Sequence, residues 1–119
     1  RLDPAGTCVR MNMPFSLHVD TPVQPVTALK SMHTAVNRLT SSGYPLGPEQ
    51  RVPALEAVKA YTTYAALCCR GEKDRGVIAP GRYADFVLLS DDPVTVQPKT
   101  IEDIAVRMTI CGGRVVHSA

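Results

Sequence analysis

Hydrophobic and polar positions change rhythm along this chain. Over residues 14–20 the period is two: Phe15, Leu17 and Val19 fall on one face, Ser16, His18 and Asp20 on the other. That alternation predicts a short strand ending in a polar tip. Thr21-Pro22-Val23-Gln24-Pro25 follows as a loop, because residues before proline are pushed to extended backbone. From about 26 to 40 the spacing becomes three and four. Val26, Leu29, Met32, Val36 and Leu39 form one apolar stripe, which predicts an amphipathic helix stopped at Ser41-Ser42-Gly43. A second helix is expected from about 53 to 70. Pro53 suits its first turn, Glu56 its positive end, Arg70 its negative end, and Gly71 its exit. Its row Leu55, Val58, Thr62, Ala65 and Cys69 is rich in small residues, which permits close approach of another element.

Beyond Gly71 the pattern turns to strands. Glu72-Lys73-Asp74-Arg75-Gly76 is a charged loop, and Ala79-Pro80-Gly81-Arg82 has proline and glycine where a type II turn requires them. Phe86-Val87-Leu88-Leu89 is an apolar run of strand length. Ile104, Val106, Met108 and Ile110 alternate with Ala105, Arg107 and Thr109, and Gly112-Gly113 makes a two-residue hairpin turn into Arg114-Val115-Val116-His117. A small antiparallel sheet with one buried face is expected.

Composition narrows the classes. The 119 residues suit one domain or a piece of a larger one. Thirteen basic against eleven acidic residues leave +2, and the closest basic group, Arg70-Lys73-Arg75, is interrupted by Glu72 and Asp74. A nucleic-acid partner is therefore not expected. No apolar run approaches the ~20 residues of a membrane span, so no membrane partner is expected either, and the N-terminal residues do not resemble a signal peptide. Cys8, Cys68, Cys69 and Cys111 show no CxxC pair. They are expected as small buried hydrophobes in a cytoplasmic protein, as Met11, Met13, Met32 and Met108 are expected in the core.

Few residues offer chemistry. His18 and Asp20 share one side of a strand that runs into a proline loop, a place where α/β barrels put catalytic groups. The plainer alternative is an aspartate capping the loop beside a half-buried histidine. His33 lies beside an apolar stripe, His117 ends a strand facing solvent, and Arg38 and Arg51 suit structural ion pairs. The three histidines have no shared metal-ligand spacing, and no phosphate-binding glycine loop or nucleophile elbow occurs.

The order of segments resembles a known family. Phe15-Ser-Leu-His-Val-Asp20, Ala35-Val-Asn-Arg-Leu-Thr40, Glu56-Ala-Val-Lys-Ala-Tyr-Thr62, Gly76 to Leu89 and the ending Val106 to Val116 are similar to the C-terminal part of metal-dependent amidohydrolases, in the branch of the N-substituted formamide deformylases. The resemblance implies an α+β fragment: the last strand (about 14–20) and helices (about 26–40 and 53–70) of a (β/α)8 barrel over 1–75, then the C-terminal antiparallel strands of a composite β-sandwich over 76–119. It implies hydrolysis of non-peptide C–N bonds. Asp20 matches the aspartate that binds the metal and shuttles the proton of the hydrolytic water, and His18 is a candidate pocket-lining, substrate-binding residue.

The same resemblance implies a divalent metal, zinc in the full-length family, whose other ligands have no counterparts in these residues. The chain is therefore expected to bind no metal and to be inactive alone, and its opening Arg-Leu-Asp-Pro to be cut rather than begun. Its expected partners are the missing N-terminal part of the enzyme or further copies, paired through the open edges of the Phe15 and Phe86 strands. The alternative is a non-catalytic folded module with a structural or binding role.

Overall fold

The computed structural model describes residues 3–119, so the opening Arg1 and Leu2 lie outside the described residues. Four helices come first: α1 (Ala5–Arg10), α2 (Ala28–Asn37), α3 (Ala54–Tyr61) and α4 (Thr63–Cys68). Three strands follow, β1 (Phe86–Leu89), β2 (Val106–Cys111) and β3 (Arg114–Ser118), in one antiparallel sheet of order β1-β2-β3. Two 3₁₀ segments, Pro48–Gln50 and Pro98–Asp103, complete this α+β chain.

α2 begins where Thr27 accepts the Lys30 amide on its Oγ1 at 3.2 Å, an N-cap that satisfies one free donor of the first turn. It ends at Arg38, which adopts a left-handed φ of 54°. The expected helix to residue 40 stops short because residues 38–46 spend their backbone groups on a narrow hairpin. Leu46 N–H donates to Arg38 C=O at 2.8 Å, and Thr40 N–H to Tyr44 C=O at 2.9 Å. Gly43 serves the tip of that hairpin rather than the helix exit, and Val26, outside the helix, is exposed.

The expected single helix over 53–70 is two helices, broken at Thr62 (φ −122°, ψ −96°). Thr62 Oγ1 turns back to Val58 C=O at 2.9 Å, a bond that bends helices. Gly76 packs into the bend so closely that a Cβ there would lie 2.7 Å from Ala66 Cβ. α4 then closes through Arg70, not Gly71: Arg70 takes φ 56°, and Gly71 N–H reaches back to Ala66 C=O at 2.8 Å. The buried face is Ala57, Ala60 and Ala66, whereas Leu55, Thr62 and Cys69 of the expected row are exposed.

Met32, Ala35, Val36, Val52, Ala57 and Ile101 form the core, with Phe15, Leu17, Leu29, Val58 and Tyr61 packed around it. Ile101, 1% exposed, comes from the 3₁₀ helix between β1 and β2. Asn37 Nδ2 donates to Pro98 C=O at 2.7 Å, and His33 Nε2 lies 3.5 Å from Glu102, so α2 grips that connection by polar contacts as well. Arg51 donates to the Asn37 carbonyl at 2.9 Å rather than to a carboxylate. Gln50, buried, receives Thr7 N–H and Thr7 Oγ1–H on its Oε1 at 2.9 and 3.1 Å, which fixes α1.

Residues 14–20 keep the period-two burial expected of a strand, and no described segment lies alongside them to form a ladder. Two further expectations fail. Among the described residues the sheet has no buried face: Val87, Leu88, Val115 and Val116 are each more than half exposed, since no helix layer there covers it. Cys68, Cys69 and Cys111 are exposed, the first two at the C-terminal end of α4 and the third at the hairpin turn; Met11 and Met13 are exposed also. The Gly112-Gly113 turn is as expected, with φ 56° and 78°.

Glu56 ties the broken helix together. Lys59 Nζ donates to its Oε1 at 2.7 Å and Tyr64 Oη to its Oε2 at 2.9 Å. The Lys59 hydrogen bond holds the Glu56 carboxyl below its ordinary range, against burial that raises it, and Tyr64 adds to the lowering. A carboxyl depressed in the folded state contributes stability above its unfolded pKa and loses it as pH falls through the folded value. Unfolding by urea should therefore become easier below about pH 4.3, and Glu56→Gln should flatten that acid limb while lowering stability at neutral pH. A second prediction concerns α1. A Cβ on Gly6 would meet Gln50 Cα at 2.8 Å and Glu49 O at 2.9 Å. Gly6→Ala should cost about 1–3 kcal/mol by overpacking, read as a lower urea midpoint with unchanged m-value.

Candidate functional site

A cavity of about 560 Å³ opens between α1, segment 14–20, the loop after it and α2. Its size is that of a small-molecule site. Alternation along 14–20 decides what faces where. Phe15, Leu17 and Val19 are half-buried, Phe15 and Leu17 against the core, and Ser16, His18 and Asp20 are exposed. The two residues singled out in the sequence are thus brought together at one cavity.

Asp20 stands where the extended segment turns into the loop. Its φ is 52°, a left-handed conformation that aspartate tolerates better than most residues. Its carbonyl accepts the Val23 amide at 2.8 Å, closing the turn, and its own N–H donates to His18 Nδ1 at 3.1 Å. With Nδ1 an acceptor, the neutral His18 ring carries its proton on Nε2. The pair therefore consists of an acceptor carboxylate and an imidazole donor on one open side of the chain. Such a pair can take up a proton and orient a polar ligand. The loop-capping alternative fits only in part: the Asp20 backbone, not its side chain, makes the turn hydrogen bonds.

The opposite wall comes from α2 and α1. Lys30, Ser31, Thr34, Ala35 and Arg38 line the cavity from successive turns of α2, and Cys8 from α1. Sequence reasoning did not assign these to a site. Their spacing of one, three and four residues was the available signal, since it marks a second helix face beside the Leu29–Met32 stripe. Arg38 is 8% exposed and donates from Nε to the Leu46 carbonyl at 3.0 Å, so it anchors the 38–46 hairpin to the cavity wall. His33 and His117 lie elsewhere, His33 against Glu102 and His117 in β3. Among the described residues no group of three or more His, Cys, Asp or Glu side chains is placed to hold a metal ion. Nor, among the same residues, is any helix long and apolar enough to cross a membrane.

Comparison with known proteins bears on this arrangement. The family model described as the amidohydrolase family matches residues 1–117. YtcJ of Bacillus subtilis, which bears an amidohydrolase name, is 35% identical over 101 residues, 82% of this chain and 19% of that protein. The N-substituted formamide deformylase of Arthrobacter pascens is 30% identical over 113 residues, 95% of this chain and 21% of the deformylase. The chain thus spans about a fifth of the length of these curated relatives. The crystal structure of an amidohydrolase from Thermotoga maritima superposes over 98% of this chain and 26% of its own, with a TM-score of 0.69 at 21% identity, a likeness of fold. On the match across nearly its whole length, the chain belongs to the amidohydrolase family.

Proposed function

We propose that the chain is the C-terminal part of a metal-dependent hydrolase of non-peptide C–N bonds, with Asp20 as its contribution to the reaction. Residues 1–75 would then be the closing portion of a (β/α)8 barrel, with 14–20 its last strand, and 76–119 the final strands of a composite β-sandwich. The observation that carries this reading is the placement of Asp20: a carboxylate at the C-terminal end of an extended segment, on its polar side, facing a cavity. Barrel enzymes build their sites at that end of their strands. Family membership supplies the reaction class, and the absence of a strand ladder along 14–20 among the described residues is what a barrel strand without its neighbours would show.

Asp20 accepts a proton from the attacking water as its oxygen adds to the carbonyl carbon, and returns that proton to the amine nitrogen as the C–N bond breaks. His18, through Nε2–H, orients the substrate or the water. Metal dependence is general in the family. Tested against the donors present, a catalytic ion does not fit this chain alone: such an ion takes about three protein ligands, and although Asp3, Cys8 and His18 line the cavity with Asp20, no three such groups among the described residues are placed to hold one. The remaining groups would come from chain outside these residues, and the segment by itself is expected to be inactive.

A graft tests the reading. This chain replaces the matching segment of the N-substituted formamide deformylase, and hydrolysis and metal content are measured together. The folded graft should hydrolyse the N-substituted formamide, and Asp20→Asn within it should lower kcat by about 10²–10⁴-fold with bound metal reduced. His18→Gln should act mainly on KM. An Asp20→Asn graft as active as its parent would remove Asp20 from the chemistry and leave the segment a structural role.

A further inference from the structure

Among the described residues the Asp20 carboxylate accepts no hydrogen bond and joins no ion pair. Its direction is therefore set by its backbone, through the two peptide planes that flank its Cα. The plane after Asp20 is held where its carbonyl accepts Val23 N–H at 2.8 Å. Thr21 Oγ1 donates to the Gln24 carbonyl at 3.3 Å across the same turn. The plane before Asp20 is held by one bond, from its N–H to His18 Nδ1 at 3.1 Å. A side-chain acceptor that takes the amide two residues on is the arrangement of an Asx turn, built here with imidazole in place of a carboxylate or carboxamide. Between the two fixed planes Asp20 takes φ 52°, a conformation that a non-glycine residue keeps only where its surroundings impose it.

We propose that His18 is a positioning residue: through Nδ1 it holds Asp20 in the left-handed turn that aims the carboxylate at the cavity. The two ring nitrogens then have separate tasks, Nδ1 toward the chain and Nε2 toward the substrate or the water. Apolar packing does not replace the bond. Phe15 and Leu17 seat the segment on the core and decide which side of it faces out, but Asp20 lies beyond them and is exposed. His18 is exposed as well, so its contribution to the turn is this hydrogen bond and not burial. The role rests on the reading of Asp20 as the group that carries the proton, whereas the geometry of the turn is measurable without turnover.

Two substitutions separate the tasks. His18→Phe keeps a planar ring and has no acceptor, whereas His18→Asn returns an acceptor on a shorter side chain that ends before the Nε2 position. In the deformylase graft, His18→Phe should raise KM and lower kcat by about 2–10-fold, the weight of one hydrogen bond. His18→Asn should restore kcat and leave KM raised. In the 119-residue chain, NMR reads the turn directly. A strong NOE between the Asp20 amide proton and its own Hα marks the positive φ; it should be present in the parent and in His18→Asn, and weaken in His18→Phe. Equal kcat in the two variants, or an unchanged NOE in His18→Phe, would overturn the proposal. An Asp20→Asn graft as active as its parent, with the NOE still lost in His18→Phe, would instead overturn the reading of Asp20 and leave His18 as the support of the turn.

Discussion

Ile101 joins the two halves of this chain. It projects from the short 3₁₀ helix between β1 and β2, and its side chain completes a core whose other members come from α2, α3 and Val52. Among the described residues no helix contributes a comparable contact to the strands themselves, so the sheet is held mainly through its connection rather than through its face. Burial of one large aliphatic side chain is worth about 1.5–3 kcal/mol. The Asn37 bond to the Pro98 carbonyl adds direction: it sets where the connection enters, and therefore where the sheet sits. The exposure of Val87, Leu88, Val115 and Val116 follows from this mode of attachment.

The helical half depends on small residues. Ala57 and Ala60 are fully buried, and Gly6 approaches the Glu49–Gln50 backbone, and Gly76 the Ala66 Cβ, too closely for a side chain. Little apolar volume is available from such contacts, so polar anchors take a large share of the specificity. Gln50 fixes α1 through Thr7, Arg38 fixes the hairpin through Leu46, and Glu56 bridges α3 and α4 through Lys59 and Tyr64. These bonds have fixed directions, whereas packing of small residues alone tolerates sliding. The position of the cavity walls, α1 and α2, is set by them.

Legibility in the sequence followed the range of the interaction responsible. Elements fixed by local rules were readable: the α2 stripe, the strands β1 to β3, the type II turn at Pro80-Gly81 and the Gly112-Gly113 hairpin. Elements fixed by distant partners were not. α1 contains glycine and two β-branched residues and owes its helix to Gln50, 43 positions away. The break at Thr62 has no proline or glycine of its own, and the glycine that fits it lies at 76. Arg38 and Arg70 take left-handed conformations that glycine usually supplies, so the helix exits moved off Gly43 and Gly71. The buried face of α3 shifted for a related reason. Period alone favours the row with the largest residue, Leu55, but the fully buried positions are Ala57, which meets the α2 residues in the core, and Ala60.

The same distinction governs the site. His18 and Asp20 are two residues apart on an extended segment, so local geometry suffices to place both at one cavity, and the sequence pattern was enough to pair them. Lys30, Ser31, Thr34 and Arg38 reach that cavity only because α2 folds back across it, which no spacing near Asp20 encodes. The period-two burial of 14–20 survives even though no ladder forms, because Phe15 and Leu17 are drawn onto the core by packing rather than by strand pairing. Orientation of the polar face therefore needs no strand pairing: packing of Phe15 and Leu17 on the core is enough to aim Asp20 outward. A carboxylate oriented in this way is set by its own short segment. What it can do chemically depends on the groups brought opposite it.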